Sequence, residues 1–362
     1  MRLVLISLSA RGGILYGISA LLKELPRMCE VIALVPCYYP YQHQDVCLQR
    51  FEAGQRHQNL ARYSNPLWAL KQWQRVRAMR PDIVFVYYGD GYPCTLLWSK
   101  MNRFERLPML IGVHDPDPHP GTLTANLLNR IGRYTWRSGV SLCVFSRCFV
   151  QTLIQQGIPP ERVFYVPLIH DLEPFTQFRS SPPPQREPFA LFFGRLEYYK
   201  GLDILIEAAK QLRAELRFVI AGPGKLPRKV HRQIIAQPSL FDLRARFIPE
   251  QEVAELLERA AVCVMPYRQA TQSGIPILAA AFETPLVATA TGGLVEQVQA
   301  MNGLLVPPND PSALAEGIIK AMGCKPVFPE EWQLPNISAM YYEVFTQIYE
   351  FASSQPWLLG MR

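Results

Sequence analysis

The stretch FALFFGRLEYYKG at 189–201 holds the two side chains best placed for chemistry, Arg195 and Lys200. Its apolar run, 189–193, predicts a buried strand, which Gly194 and Arg195 break, and 202–212 carries apolar residues at helical spacing. Strand, glycine turn and helix in that order put both cations at the carboxyl edge of a parallel sheet, where open α/β folds bind ligands. Two cations beside a helix N-terminus suit an anion, above all a phosphate. The alternative for these residue types is a pair of solvated surface charges.

Those cations need a sheet to carry them, and the chain predicts two. Apolar runs at 3–8, 30–35, 82–87, 110–113 and 141–145 read as strands, with helices at 14–25, 67–79 and 123–136 among them. This rhythm predicts a doubly wound parallel sheet over 1–170. Residues 171–188 contain Pro174, Pro182, Pro183, Pro184 and Pro188 and read as a linker without helix or central strand. A second α/β series over 189–335 has strands at 189–193, 216–221, 246–248, 261–265, 285–289 and 303–306. A ligand cleft is expected between the facing carboxyl edges of the two sheets. The closing segment, 336–362, is amphipathic and rich in Tyr and Phe over 337–351, and is expected to pack back across both domains.

With 49% hydrophobic and 19% charged residues over 362 positions, the chain is globular, which excludes a disordered protein. Eight cysteines without a CxxC pair, several inside apolar runs, read as reduced core thiols of a cytoplasmic protein. The apolar run in 1–10 is too short for a signal peptide, and Arg11-Gly12-Gly13 fits a strand-to-helix turn. No window holds 18 uninterrupted apolar residues, so no membrane span is expected.

Charge is uneven. Residues 1–180 hold 20 Lys+Arg against 12 Asp+Glu, a net of +8, while the remainder holds 17 against 18. Seven of the cations fall in 48–80, interleaved with Phe51, Tyr63, Trp68 and Trp73 and accompanied by one acid, Glu52. A basic surface with exposed aromatics suits the anionic face of a membrane or an anionic lipid-linked substrate. A solvated helix face whose Trp residues pack inward explains the same pattern. Nucleic acid is not expected as a partner, because no helix-turn-helix, RNP or zinc motif accompanies the charge.

GRLEYYKGLDILIEAAKQL at 194–212 resembles the GR-x4-KG-x-D-x-L-I-x-A signature of family 4 of the retaining glycosyltransferases, nucleotide-sugar enzymes with the two-domain GT-B fold. IAGPGK at 220–225 is similar to their next glycine turn, 265–298 to their donor-site block and 303–318 to the block after it. VHDPDPHPG at 113–121 resembles an acceptor-domain loop of some bacterial members. The resemblance implies a metal-independent hexosyltransferase with no cofactor beyond its donor substrate. It would act on a glycan or lipid-linked acceptor in surface or exported polysaccharide synthesis, on the inner face of the plasma membrane.

The resemblance also implies roles. Arg195 and Lys200 would stabilise the departing diphosphate, with His114 and Asp115 beside the transferred sugar or the acceptor hydroxyl. Gln272, Ser273 and Gly274 would aim backbone N–H groups at the distal phosphate or sugar, where a helix N-terminus favours an anion by ~0.3–1 kcal/mol. Gly194 and Gly222 belong to the two donor-side glycine turns. Phe247 and Ile248 would cradle the base, and Gly12 and Gly13 would let the donor approach the other domain's backbone. One departure matters: the family's Glu-x7-Glu pair falls here on Ala270 and Leu278, neither ionisable. A hydrogen bond to a charged group contributes ~1.5–3 kcal/mol, so the ribose is held differently, the nucleotide differs, or activity is lost. Asp115-Pro116-Asp117, flanked by His114 and His119, has the spacing of a DxD metal motif, but the fold neutralises its leaving group with cations, and no metal is expected. A non-catalytic GT-B protein that binds nucleotide or glycan is the competing function.

Overall fold

Strands such as RLVLIS and IVFVYY are apolar on both faces, which a parallel sheet covered by helices on each side requires. A computed structural model describes residues 1–54, 56–116, 123–212 and 216–354. The chain forms two units, Met1–Asp171 with the segment from Glu331 onward, and Leu172–Glu330.

The first unit holds β1 (Arg2–Ser7), β2 (Glu30–Pro36), β3 (Val46–Phe51), β4 (Ile83–Tyr88), β5 (Met109–Val113), β6 (Ser141–Val144) and β7 (Val163–Tyr165). Its helices are α1 (Gly13–Glu24), α2 (Arg56–Tyr63), α3 (Pro66–Ala78), α4 (Pro93–Glu105), α5 (Leu123–Trp136) and α6 (Cys148–Gln155). The sheet is parallel in the order β3-β2-β1-β4-β5-β6-β7. Side chains alternate across it: Val84 and Val86 of β4 join the core with Trp73, Trp98 and Trp136, while Phe85 faces the other way.

The second unit holds α7 (Glu173–Thr176), β8 (Glu187–Phe193), α8 (Leu202–Gln211), β9 (Arg217–Ala221), α9 (Arg228–Ile235), β10 (Phe241–Arg244) and α10 (Glu250–Arg259). It continues through β11 (Ala260–Met265), α11 (Gly274–Ala281), β12 (Leu286–Thr289), α12 (Leu294–Ala300), β13 (Leu304–Val306) and α13 (Pro311–Ala321). Its parallel sheet runs β10-β9-β8-β11-β12-β13. The last helix, α14 (Leu334–Ser353), belongs to the first unit, where Tyr341 and Phe345 each sit 5.5 Å from the Phe85 ring.

Several expectations need correction. The strand expected at 246–248 is instead β10, whose Phe241 and Leu243 alternate with Asp242 and Arg244; Phe247 is exposed and Ile248 buried in the loop beyond it. The proline-rich stretch contains the short helix α7, and β8 starts inside it at Glu187. Strands β3 and β7 were not anticipated: the mixed polarity of VCLQRF hides β3 at the sheet's edge, and β7, VFY, is only three residues long. The aromatics of 48–80 are not an exposed set: Phe51, Tyr63 and Trp73 are buried and Trp68 half-buried. Of the eight thiols, Cys29, Cys94, Cys143 and Cys263 lie in the core, whereas Cys37, Cys47 and Cys148 are exposed. No helix among the described residues is long and apolar enough to cross a membrane.

Candidate functional site

In the second sheet the strand order reverses between β8 and β11, and loops leaving the two strands at such a point splay apart to leave a ligand crevice. The loop after β8 carries Gly194, Arg195 and Lys200; the loop after β11 carries Tyr267, Arg268, Gln272 and Ser273. Their backbones are locked together. Arg268 N–H donates to Tyr199 O at 2.8 Å, and a Cβ on Gly201 would stand 1.9 Å from Pro266 O. Gly201 takes φ 68° to turn the chain into α8, so the position excludes side chains twice over. The loop after β9 joins them, with Leu196 N–H donating to Pro223 O at 2.8 Å. A Cβ on Gly222 would lie 2.0 Å from Gly194 O.

Lys200 is buried, with Nζ 3.6 Å from the centre of the Tyr267 ring and 5.2 Å from that of Tyr199. Burial, helped by the nearby Arg195 charge and opposed by Glu197, lowers its pKa to about 7. Arg195 is 62% exposed and donates to Glu197 Oε1 and to the Tyr199 hydroxyl, each at 3.0 Å. The buried Tyr267 hydroxyl has no hydrogen-bond partner of normal geometry among the described residues, although the Ser273 hydroxyl is near enough to donate weakly to it and the Arg195 charge acts on it from a distance. An orphaned buried hydroxyl beside two cations marks a place where a polar ligand group completes the site.

Two further contacts set the frame. Arg268 grips Asp203 with both arms at 2.7 Å, and although burial works to raise the Asp203 pKa, these bonds win and lower it. Asp203 stands in the first turn of α8, where a carboxylate also suits the helix dipole. Ser273 caps α11 by accepting from Ile275 N–H, and its own N–H donates to Gln297 Oε1 at 2.9 Å while Gln297 Nε2 donates back to Ser273 O. The expectation that the Ser273 N–H faces a phosphate is therefore corrected, because Gln297 already takes it. Gly274 opens α11 and is half-buried, as is Gln272. Ala270 and Leu278, the positions of the missing glutamates, are both buried.

The first unit reverses its strand order between β1 and β4. Gly12, after β1, has φ 55° and starts α1; a Cβ at Gly12 or Gly13 would meet nothing within 4 Å. After β4 comes Asp90, which reasoning from sequence missed. Its Oδ2 accepts from Trp136 Nε1 at 3.0 Å, and desolvation raises its pKa to about 7. His114, at the end of β5, is buried against Phe145 with its ring nitrogen Nε2 2.9 Å from Tyr87 O, and burial lowers its pKa to about 4. Asp115 beside it is exposed, while Asp117 and His119 lie outside the described residues. The structure thus gathers Gly194, Arg195, Lys200, Gly222 and Ser273 at one crossing of the second unit, and places Gly12, Gly13, His114 and Asp115 on carboxyl-end loops of the first. The sequence signal for Tyr267 was its place two residues past the end of the β11 run; Gln297 had none. A cavity of about 430 Å³, lined by Glu187, Arg217 and Arg259 among others, contains none of the predicted residues.

Residues 187–323 match the family described as Glycosyl transferases group 1, and residues 12–168 match the Glycosyl transferase 4-like domain. The chain belongs to the group 1 glycosyltransferases. Over 192 residues it is 34% identical to WcaL of Salmonella typhimurium, named as a colanic acid biosynthesis glycosyltransferase, covering 50% of this chain and 47% of that one. It is 34% identical over 200 residues to D-inositol 3-phosphate glycosyltransferase 1 of Catenulispora acidiphila, covering 48% and 46%. The chain thus spans about half the length of these curated relatives. Among solved structures, Alr3699/HepE of Anabaena in complex with UDP and glucose superposes with a TM-score of 0.66 at 14% identity over all of both chains. The catalytic domain of Starch Synthase IV from Arabidopsis thaliana, bound to ADP and acarbose, gives 0.71 at 14% identity over 98% and 100%. At such identities the likeness carries the fold alone, and that fold is GT-B, two Rossmann-like α/β domains.

Proposed function

We propose that this group 1 glycosyltransferase moves a sugar, with retention, from a nucleotide-diphosphate sugar to a glycan or lipid-linked acceptor in polysaccharide synthesis. It does so without a metal ion, on the cytoplasmic side of the membrane. The observation that carries the reading is the buried Lys200 ammonium, held with Arg195 and the orphaned Tyr267 hydroxyl at the β8/β11 crossing. As the anomeric carbon–oxygen bond breaks, negative charge grows on the departing diphosphate. Preorganised cations in a desolvated site stabilise that charge more than they stabilise the ground state. The UDP and ADP bound by the two structural neighbours support a nucleotide donor. Asp115 and Asp90, on carboxyl-end loops of the first unit, are the proposed contacts to acceptor or sugar hydroxyls.

A panel of nucleotide sugars tests this by thermal stabilisation together with slow hydrolysis, with and without a chelator. One donor should stabilise the protein and be hydrolysed, unaffected by chelation. Stabilisation without hydrolysis or transfer would instead support a non-catalytic binding protein, the outcome that the apolar Ala270 and Leu278 would explain. Hydrolysis abolished by the chelator would return the DxD motif to the mechanism.

A further inference from the structure

Helix α10 packs on β8 and β11, and the cavity of about 430 Å³ opens beside it over the same face of β9 and β10. That volume falls in the ~300–1,000 Å³ range of small-molecule sites. Register fixes the sheet wall. Phe189 pairs with Arg217 and Val219 with Asp242, and side chains alternate along each strand, so these four share one face with Arg244. The facing stripe of α10 is Glu252, Glu255, Leu256 and Arg259, at i, i+3, i+4 and i+7. Phe189, Val219 and Leu256 are buried and supply hydrocarbon; the rest of the lining is largely charged. Most of those charges hold one another. Both Arg244 bonds to Asp242 end on Oδ2, and Glu252 takes Arg244 and Arg246 on Oε1, which leaves Asp242 Oδ1 and Glu252 Oε2 as acceptors in fixed positions. Arg259 pairs with Glu187 at 2.9 Å. Arg217 alone of the three lining arginines has no hydrogen-bond or ion-pair partner among the described residues.

We propose that this cavity is a second binding site, for a neutral oligosaccharide, remote from the Arg195 and Lys200 crossing. Glu187 opens β8 and Arg217 opens β9, so the site lies at the amino edge of the sheet. The seven residues of β8 put ~20 Å between it and the loop of Arg195 and Lys200. The lining holds four carboxylates against three guanidiniums, which disfavours an anion. Because most of these charges are already matched inside the protein, a charged ligand gains little over water, whereas a hydroxylated one finds acceptors and a donor fork. The Arg217 guanidinium donates to adjacent hydroxyls, the unused carboxylate oxygens accept from others, and the C–H face of a sugar ring covers the hydrocarbon. The inference takes from the proposed function only that the acceptor is a glycan. A glycan held here has its reacting end concentrated near the cleft, the advantage of a tethered second contact.

The test is a titration of the full chain, followed by saturation-transfer NMR, with neutral trisaccharides of glucose, mannose, galactose and N-acetylglucosamine. At least one should bind, with an affinity unchanged as salt rises, since neither partner loses a screened charge. Arg217→Met should weaken that binding by roughly tenfold or more, the loss of a hydrogen bond to a charged group. Arg217 has no partner to abandon, so the melting temperature should stay at the parent's value, and so should the rate of donor hydrolysis. Glu255→Ala should also weaken binding, and Arg228→Met, an exposed arginine on α9, should not. Oligosaccharide binding without any donor hydrolysis in the parent would uphold this site while removing the catalytic reading. No binding across the panel, parent affinity in Arg217→Met, equal loss in Arg228→Met, donor hydrolysis lost with Arg217, or tighter, salt-sensitive binding of glucose 6-phosphate or a dipeptide would each overturn the proposal.

Discussion

Lys200 presents its ammonium to the face of Tyr267 with a pKa lowered to about 7, so near neutrality its charge depends on what lies beside it. A diphosphate there would raise that pKa again, and binding above pH 7 would take up a proton. Nucleoside diphosphate affinity should therefore fall as pH rises from about 7.5 to 9, above the range where the phosphate itself titrates. Calorimetry in two buffers of different ionisation enthalpy measures the proton directly. An affinity flat across that range, or a Lys200→Met variant with the parent's pH profile, would remove Lys200 from the phosphate. Arg195 is exposed and pinned by Glu197 and Tyr199, so Arg195→Ala should leave the melting temperature unchanged while turnover drops by ~10²-fold or more. Turnover at the parent rate would rule out its role in departure of the leaving group.

The elements around the site are held by glycines whose neighbours leave them no alternative. At Gly201 both the positive φ and the Pro266 carbonyl oppose a side chain, so Gly201→Ala should cost more than the ~1–3 kcal/mol of backbone strain alone. Because that contact joins the β8 and β11 loops, nucleotide-induced stabilisation should weaken along with the fold. Gly13 is the control: it opens α1 with open space around it and no positive φ, and Gly13→Ala should change the melting temperature little. If both variants behaved alike, the packing account of the Gly201 turn would be wrong.

Across the whole molecule the buried histidines are unevenly shared. His114 and His170, both in the first unit, have pKa values lowered by burial to about 4, against roughly 6.5 in an unfolded chain. Between those values the unfolded chain binds the extra protons, so stability is full above about pH 6.5 and is lost as pH falls toward 4. Each histidine contributes about 3 kcal/mol at most to that loss. His231, in the second unit, is exposed. On acidification the first unit should therefore open before the second, which hydrogen exchange resolves peptide by peptide. His170→Phe should flatten the acid limb, and an unchanged limb would show that carboxylates dominate it.

Residue type and short-range spacing were enough to locate the strand–turn–helix of Arg195 and Lys200, the glycines around it and most central strands, because a doubly covered parallel strand is apolar without interruption. The same local reading failed where position in the sheet matters more than composition. It took Phe247-Ile248 for a strand when the edge strand was the mixed FDLR segment, and it exposed aromatics that β3 and α2–α4 bury. Only tertiary structure could bring Tyr267 over Lys200, 67 positions earlier in the chain, or Gln297 onto both backbone groups of Ser273. Such contacts follow from strand order and register, and these are set by how whole sheets pack rather than by any one stretch of residues.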